Sequence, residues 1–454
     1  MSPSESVVVV GAGLAGLAAA VELSSRGIPV TVLEQHRRGG GRAYSFTDRT
    51  TGDTVDNGQH ALIAGCTATM RYLDLISTRR FLHTQRSPSL TFHHPALGLR
   101  RLRIPDLPSP LHLAGGILST DLFSLADRLR LLRLGWALAR LRDDDPFLSG
   151  ASVAEWLRRH GQSAETIRTL WEPLAIAIMN ERTEKASALL FARCLRRAFL
   201  GRTGDSALVL PSVGLSELFV TPACALINKH GGRIILGARA AGTILREGRV
   251  TGVRLEDGAE LPASVVILAV PAWSIGRVLP EEMPRRAALL KAAELPVSPI
   301  VSVHLWYTTD FMHEEAIGIV GRTIQWVFNR RKIEEKGGQG GHITCVISAA
   351  HDLIGEPSRI ILAAASDDLR AVFGKAGGDP IHSVVIREKR GTVSPIPGVE
   401  RDRPDQITGI PNLFIAGDWT STGLPGTIEG AVWSGKRCAD LVQARQLHLI
   451  PSLS

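Results

Sequence analysis

The stretch from Val7 to Glu34 constrains this chain more than any other. Four valines, Val7 to Val10, run into Gly11-Ala12-Gly13-Leu14-Ala15-Gly16; an Ala/Leu-rich segment follows to Arg26-Gly27, and a second apolar run rises at Val30 to Glu34. The order reads as strand, glycine turn, helix, strand. Gly11 permits the tight turn, Gly13 lets a backbone approach a pyrophosphate, and Gly16 lets helix and strand pack closely. The helix N-terminus then faces the phosphates with its unpaired N–H groups. Glu34, 18 residues past Gly16, stands at a strand end where it can accept hydrogen bonds from a ribose 2′-OH. A lone G-x-G-x-x-G is weak evidence, but here the flanking strands and the acid fall where a dinucleotide site needs them.

The next residues bear on which dinucleotide. Arg38-Gly39-Gly40-Gly41-Arg42-Ala43-Tyr44-Ser45 resembles the R-x-G-G-R-x-x-S/T extension of the large flavoprotein family that includes amine oxidases and phytoene desaturases. Gly40 and Gly41 let backbone amides approach a second pyrophosphate face, and Arg42 can neutralise charge there. The resemblance implies FAD rather than NAD. The C-terminal part carries its counterpart: Asn412 to Trp419 reads as a strand delivering Gly417 and Asp418, followed by Gly423-Leu424-Pro425-Gly426-Thr427-Ile428 at the start of a helix. In this family Gly417 and Asp418 would meet the pyrophosphate and ribityl chain. The amides at Thr427 and Ile428 would face the flavin with the positive end of the helix dipole.

With 454 residues, 44% of them hydrophobic, the chain can bury a large core and is too long for one ordinary domain. The net charge of +8 suits an anionic surface or cofactor, and no aromatic-rich basic motif of a nucleic-acid binder is present. Cys66, Cys194, Cys224, Cys345 and Cys438 are scattered without a C-x-x-C pair, which argues against a zinc site and a disulfide framework and for a reducing compartment. The first strand begins within a few residues of Met1, with no leader pattern ahead of it, and no apolar run reaches the length of a membrane span. A cytoplasmic protein is expected.

Leu111 to Arg142 reads as one helix with Leu125, Leu129, Leu132 and Trp136 on one stripe and arginines through its later part. Two readings stand: a packed helix with a solvated basic face, or a surface helix lying on the inner face of an anionic membrane. Asp143-Asp144-Asp145-Pro146 should break it, and Ser152-Val153-Ala154-Glu155 has the spacing of a capping box. Gly337 to Gly341 reads as a turn.

Val55-Asp56-Asn57-Gly58-Gln59-His60-Ala61-Leu62, Trp171-Glu172-Pro173-Leu174 followed by Asn180, Ala186-Ser187-Ala188, and Leu208 to Pro211 with Leu215 to Leu218 narrow the likeness further. Together they resemble the hydroxysqualene dehydroxylases, FAD-dependent enzymes of the amine oxidase and phytoene desaturase superfamily, over nearly the whole chain. The resemblance implies an α/β fold: a Rossmann-like FAD/NAD(P)-binding domain of the amine oxidase/glutathione reductase type, interleaved with an α+β substrate domain. Residues 1–75, 205–275 and 401–454 would form the first, 76–204 and 276–400 the second. It implies an isoprenoid lipid substrate whose allylic hydroxyl is removed reductively in an apolar tunnel; the electron donor stays unassigned. Gly58 would allow close approach of backbone to the flavin, and Gln59 and Trp171 would contact substrate.

The chemistry needs one acid near the hydroxyl. His60 and Glu172 are the candidates. His60 reads equally as a structural histidine satisfied by backbone. Glu172 reads either as a carboxyl with raised pKa in an apolar pocket or as a helix-terminal carboxylate paired with an arginine. A carotenoid-type desaturase, an amine oxidase and a prenyl-binding escort without redox chemistry are the rival readings. The scarcity of tyrosine, three in all, counts against the amine oxidase, and the intact motifs at both ends count against the escort.

Overall fold

The computed structural model describes residues 6–85, 87–108, 111–334, 340–375 and 378–446, so residues 337–339 of the glycine-rich turn lie outside the described residues. Its organising layer is a five-stranded parallel sheet in the order Arg233–Leu236, Val30–Glu34, Val7–Val10, Val265–Leu268, Leu413–Ile415. Val7 pairs in register with Val30 on one side and Val265 on the other. An all-parallel sheet must be covered on both faces, and alternation along Val7–Val10 shows how. Val7 and Val9 pack with helices Leu14–Ser25 and Ile428–Gln446, whereas Val8 and Val10 belong to the core under the antiparallel strands Ala240–Arg246, Arg249–Leu255 and Glu260–Pro262. The two helices touch at their backbones: a Cβ at Gly435 would stand 2.1 Å from the Ala15 carbonyl oxygen.

The second lobe is built on a seven-stranded sheet that joins distant segments. The hairpin Ser89–His94 and Gly98–Arg103 adds to Ala316–Ile319, Trp326–Asn329, Gly341–Ser348, Val297–Tyr307 and His382–Val393. Helices between residues 111 and 199 cover it. A small sheet stitches the lobes, because Leu208–Pro211 pairs with both Leu62–Ile63 and Leu82–Thr84.

The helical segment departs from expectation in one respect. Leu111 to Arg142 is two helices, Leu111–Ser119 and Leu125–Ala139. Side-chain hydroxyls make the break: Thr120 Oγ1 accepts from Leu122 N at 3.3 Å, and Ser124 Oγ accepts from Asp127 N at 3.2 Å as the N-cap of the second helix. Such local bonds compete with helix continuation. The break at 143–146 and the capping box at Ser152 and Glu155 are both present.

Helix Leu125–Ala139 carries two apolar stripes. Leu131, Leu134 and Leu138 are buried, while Leu125, Leu129 and Trp136 are exposed, with Leu111 and Leu118 of the preceding helix exposed beside them. A helix packed on one side needs only one such stripe. Among the described residues no helix is long and apolar enough to cross a membrane.

Candidate active site

One continuous cavity of about 810 Å³ runs from the ends of the parallel strands to the underside of the helix pair at 111–139. At its narrow end two glycine loops meet. Gly11 has φ 107°, and its N–H donates to Leu33 O at 2.7 Å; a Cβ there would stand 2.5 Å from the Ala269 carbonyl oxygen. A Cβ at Gly16 would stand 2.0 Å from the Gly11 carbonyl oxygen. The packing of the protein itself forbids side chains at both.

Gly13 differs. A Cβ on it would meet nothing within 4 Å, because it faces the cavity. It N-caps helix Leu14–Ser25 without any side-chain cap, so the first amides of that helix keep their donors. Gly40, at φ 97°, donates from its N–H to Ala12 O at 2.8 Å, and Gly41, at φ 60°, closes over Gly13. The result is a backbone cradle open only toward the cavity. The residues fit the pyrophosphate of a dinucleotide: free amides, a helix N-terminus and an empty space where a side chain would otherwise stand.

Glu34 lines the same end. Its Oε2 accepts from Ala12 N at 2.9 Å and its Oε1 from His36 N at 2.9 Å. Those bonds orient the carboxylate, and each oxygen keeps a lone pair for a ribose hydroxyl. Arg42 also faces the cavity; it is ion-paired to the buried Asp418 and donates to Gly391 O at 2.7 Å. Gly417 is held by its N–H to Ser434 Oγ at 2.9 Å, and a Cβ there would collide with the Trp419 indole. Thr427 Oγ1 accepts from Gly430 N at 3.2 Å, capping the helix that begins at Ile428, and both residues line the cavity. Glu429, one residue on, accepts from Thr69 N at 2.9 Å and pairs with Arg197 at 3.0 Å, so it anchors the helix Thr67–Leu75.

Gly58, Gln59 and His60 occupy the junction between this polar end and the apolar limb. His60 is partly buried, and burial, with the Arg42 charge adding to it, pushes its pKa down to about 4. It is neutral at physiological pH. Gln59 is fixed at both ends of its amide: Oε1 accepts from Arg330 Nη1 at 2.6 Å, and Nε2 donates to His60 O at 3.2 Å. Arg330, only 2% exposed, also pairs with Asp56 at 3.3 Å and Glu334 at 2.5 Å. Asp56 therefore ties the loop down, accepting besides from Ser45 Oγ at 2.7 Å and Leu215 N at 2.9 Å. Beneath it His304 is held neutral, its pKa lowered by burial to about 3, and it meets Asp56 O at 3.1 Å. Nothing in the local sequence marks Arg330, because its partners Asp56 and Gln59 lie in another part of the chain.

Trp171 lines the cavity, its Nε1 donating to Gln162 Oε1 at 3.0 Å and its ring edge-on to Phe191. Glu172 stands at the first position of helix Glu172–Met179, as one of its two readings expected. It is not among the residues that line this cavity, and among the described residues no arginine is ion-paired with it. Its carboxylate accepts from the N–H and hydroxyl of Thr183, the amide at 3.0 Å. Burial still raises its pKa, against those bonds. It fastens the turn after Asn180, a structural task away from the cavity. A carboxylate that does face the cavity, Glu388, accepts from Asn57 Nδ2 at 3.0 Å; a β-strand acid among basic neighbours gave no sequence signal for it. The far limb is apolar, walled by Leu102, Ile117, Leu131, Leu134, Leu138 and Leu174.

Residues 14–443 match the family described as flavin containing amine oxidoreductase. The chain belongs to that family. It is 31% identical to a hydroxysqualene dehydroxylase of Sinorhizobium fredii over 96% of this chain and 98% of that one. It is likewise 31% identical to one of Rhodopseudomonas palustris, over 97% and 99%. A 15-cis-phytoene desaturase of Synechococcus elongatus stands at 24% over 98% and 97%. In fold it is similar to an oxidoreductase from Methanosarcina mazei, with TM-score 0.75 at 17% identity over 96% of this chain and all of that one. The chain is an FAD-dependent oxidoreductase of the Rossmann-like type, and its carotenoid-desaturase relatives fit the closest rival reading of the sequence.

Proposed function

We propose that this flavoenzyme reductively dehydroxylates hydroxysqualene to squalene. The observation that carries the reading is the division of the cavity: a polar junction of a few side chains opens into a long limb walled by leucine, isoleucine and tryptophan. That shape suits a molecule with one polar group on a long hydrocarbon. The identity to two hydroxysqualene dehydroxylases supports it.

Gly11, Gly13, Gly40, Gly41, Arg42, Gly417, Asp418, Thr427 and Ile428 would hold FAD, which in its reduced form would supply a hydride equivalent. In balance, the allylic C–O bond breaks, the hydroxyl leaves as water with one solvent proton, and the hydride makes the new C–H bond. His60, neutral in this setting, holds the hydroxyl oxygen by a hydrogen bond as the C–O bond lengthens. Gln59, fixed by Arg330, keeps the loop that carries His60 in place. Trp171 and the leucines of the limb exclude water that would otherwise trap an allylic cation. The exposed stripe Leu125, Leu129 and Trp136, with Arg133 and Arg140 beside it, rests on an anionic membrane surface in this reading, while the opposite side of the same helix walls the cavity. A lipid substrate then enters from the bilayer.

The test is anaerobic. Holoenzyme reduced with dithionite is mixed with hydroxysqualene while flavin absorbance is followed and lipids are extracted. Reoxidation with squalene appearing is the expected result. A flavin that stays reduced overturns the reading and returns the choice to a desaturase.

A further inference from the structure

The cavity wall beside Gly58 contains an uncommitted hydroxyl. Ser302 lies in the middle of strand Val297–Tyr307, paired with Val346 on one side and Ile386 on the other, and is 1% exposed. Its Oγ is buried and has no hydrogen-bond partner, yet the residue lines the cavity. A buried hydroxyl in a native protein is rarely left so.

The neighbouring polar side chains already have protein partners. Asn180 donates to Ser298 O and Thr392 Oγ1 and accepts from Ala349 N. Both ends of the Gln59 amide are engaged, and Glu388 is bonded to Asn57. Ser302 Oγ keeps both a donor and an acceptor, the complement of an alcohol. It also sits against Gly58, where an added Cβ would stand 3.3 Å from it, and Gly58 is two residues from His60.

We propose that Ser302 is a substrate-binding residue that holds the alcohol oxygen beside Gly58. The proposal rests on the dehydroxylase reading and deepens it, because it places discrimination between alcohol and hydrocarbon at one atom. Gly58 leaves the room that the alcohol occupies.

The experiment compares wild-type holoenzyme with Ser302→Ala and Gly58→Ala, measuring affinity for hydroxysqualene and for squalene, turnover, and the flavin spectrum and potential. Ser302→Ala should weaken hydroxysqualene about tenfold, the worth of one hydrogen bond, and leave squalene unchanged. Gly58→Ala, which fills the alcohol's space, should show the same selective loss. Equal weakening of both lipids means a packing role and overturns the proposal, as does an unchanged affinity for hydroxysqualene. A shifted flavin potential in Ser302→Ala assigns the hydroxyl to the flavin and overturns it too. Absence of hydroxysqualene turnover by wild type overturns the dehydroxylase reading and this proposal with it, whereas normal wild-type turnover with an unaffected Ser302→Ala overturns this proposal alone.

Discussion

Replacing Leu125, Leu129 and Trp136 together with serine strips the outward stripe of helix Leu125–Ala139 and leaves Leu131, Leu134 and Leu138 on its cavity side untouched. The three side chains are 68%, 51% and 63% exposed. At about 2 kcal/mol for complete burial of a leucine and about 2.5 kcal/mol for tryptophan, immersing those fractions in lipid is worth about 4 kcal/mol. That corresponds to about a thousandfold in partition coefficient, and immersion to half that depth to about thirtyfold. Arg133 and Arg140 have no carboxylate partner among the described residues, Arg140 instead stacking over the Trp136 ring at 3.8 Å. Each adds about 1 kcal/mol on an anionic surface, and salt screens that part. The assay is cosedimentation with sucrose-loaded vesicles of phosphatidylcholine alone and with phosphatidylglycerol added. Wild type should bind the anionic vesicles, more weakly as salt rises, and the triple variant should lose at least about thirtyfold. FAD content and turnover of detergent-dispersed substrate should stay as in wild type. Equal sedimentation of the two proteins would refute the reasoning, and so would a variant that fails equally in detergent.

The other predictions separate ligand from fold. Gly13→Ala should leave the thermal stability of the apoprotein unchanged and weaken FAD, since its Cβ meets nothing but the cavity, whereas Gly16→Ala should lower apoprotein Tm because its Cβ strikes the Gly11 carbonyl oxygen; fluorescence titration with FAD and calorimetry read the two. His60→Ala should cost about a hundredfold or more in turnover with FAD retained. Glu172→Gln should keep turnover and lose about 1–2 kcal/mol of stability through the Thr183 bonds, read by denaturant unfolding. Acid should destabilise the protein below about pH 6.5, where the histidines of the unfolded chain take up protons. His60, His304 and His342 have native pKa values lowered to about 4, about 3 and about 2, mainly by burial. Unfolding therefore binds protons in that window and is favoured as pH falls, and His304→Asn should flatten the slope of stability against pH between about 4 and 6.5.

The parts of the site written in contiguous residues were legible. Gly11, Gly13 and Gly16 act through a local turn, and Arg42 and Asp418 each sit in a glycine motif whose spacing fixes the backbone before any tertiary contact is known. Trp171 and Glu172 part company in the structure. Trp171 does face the cavity, but successive helical residues turn by about 100°, so the next side chain points elsewhere. The pattern at Leu125, Leu129 and Trp136 was real, yet it is the outward stripe, and the inward one is offset from it. Arg330 and Ser302 were invisible for a different reason. A buried arginine and an unpaired serine are defined by their surroundings, and those surroundings are supplied by segments far away in sequence.

The stitching of the parallel sheet bears on how this protein comes off the ribosome. The Arg42–Asp418 ion pair and the close contact of Gly435 with Ala15 join early segments of the chain to late ones, and the edge strand Leu413–Ile415 is added on Val265–Leu268. During synthesis the glycine loop emerges long before Gly417 and Asp418, and its cradle stays open until they follow. Nascent protein therefore spends most of translation with an exposed apolar strand, Val7–Val10, that has only one of its two permanent neighbours until Val265–Leu268 appears. Flavin supply cannot rescue a partly made chain, and demand for a chaperone should fall on the interval before that central strand is in place.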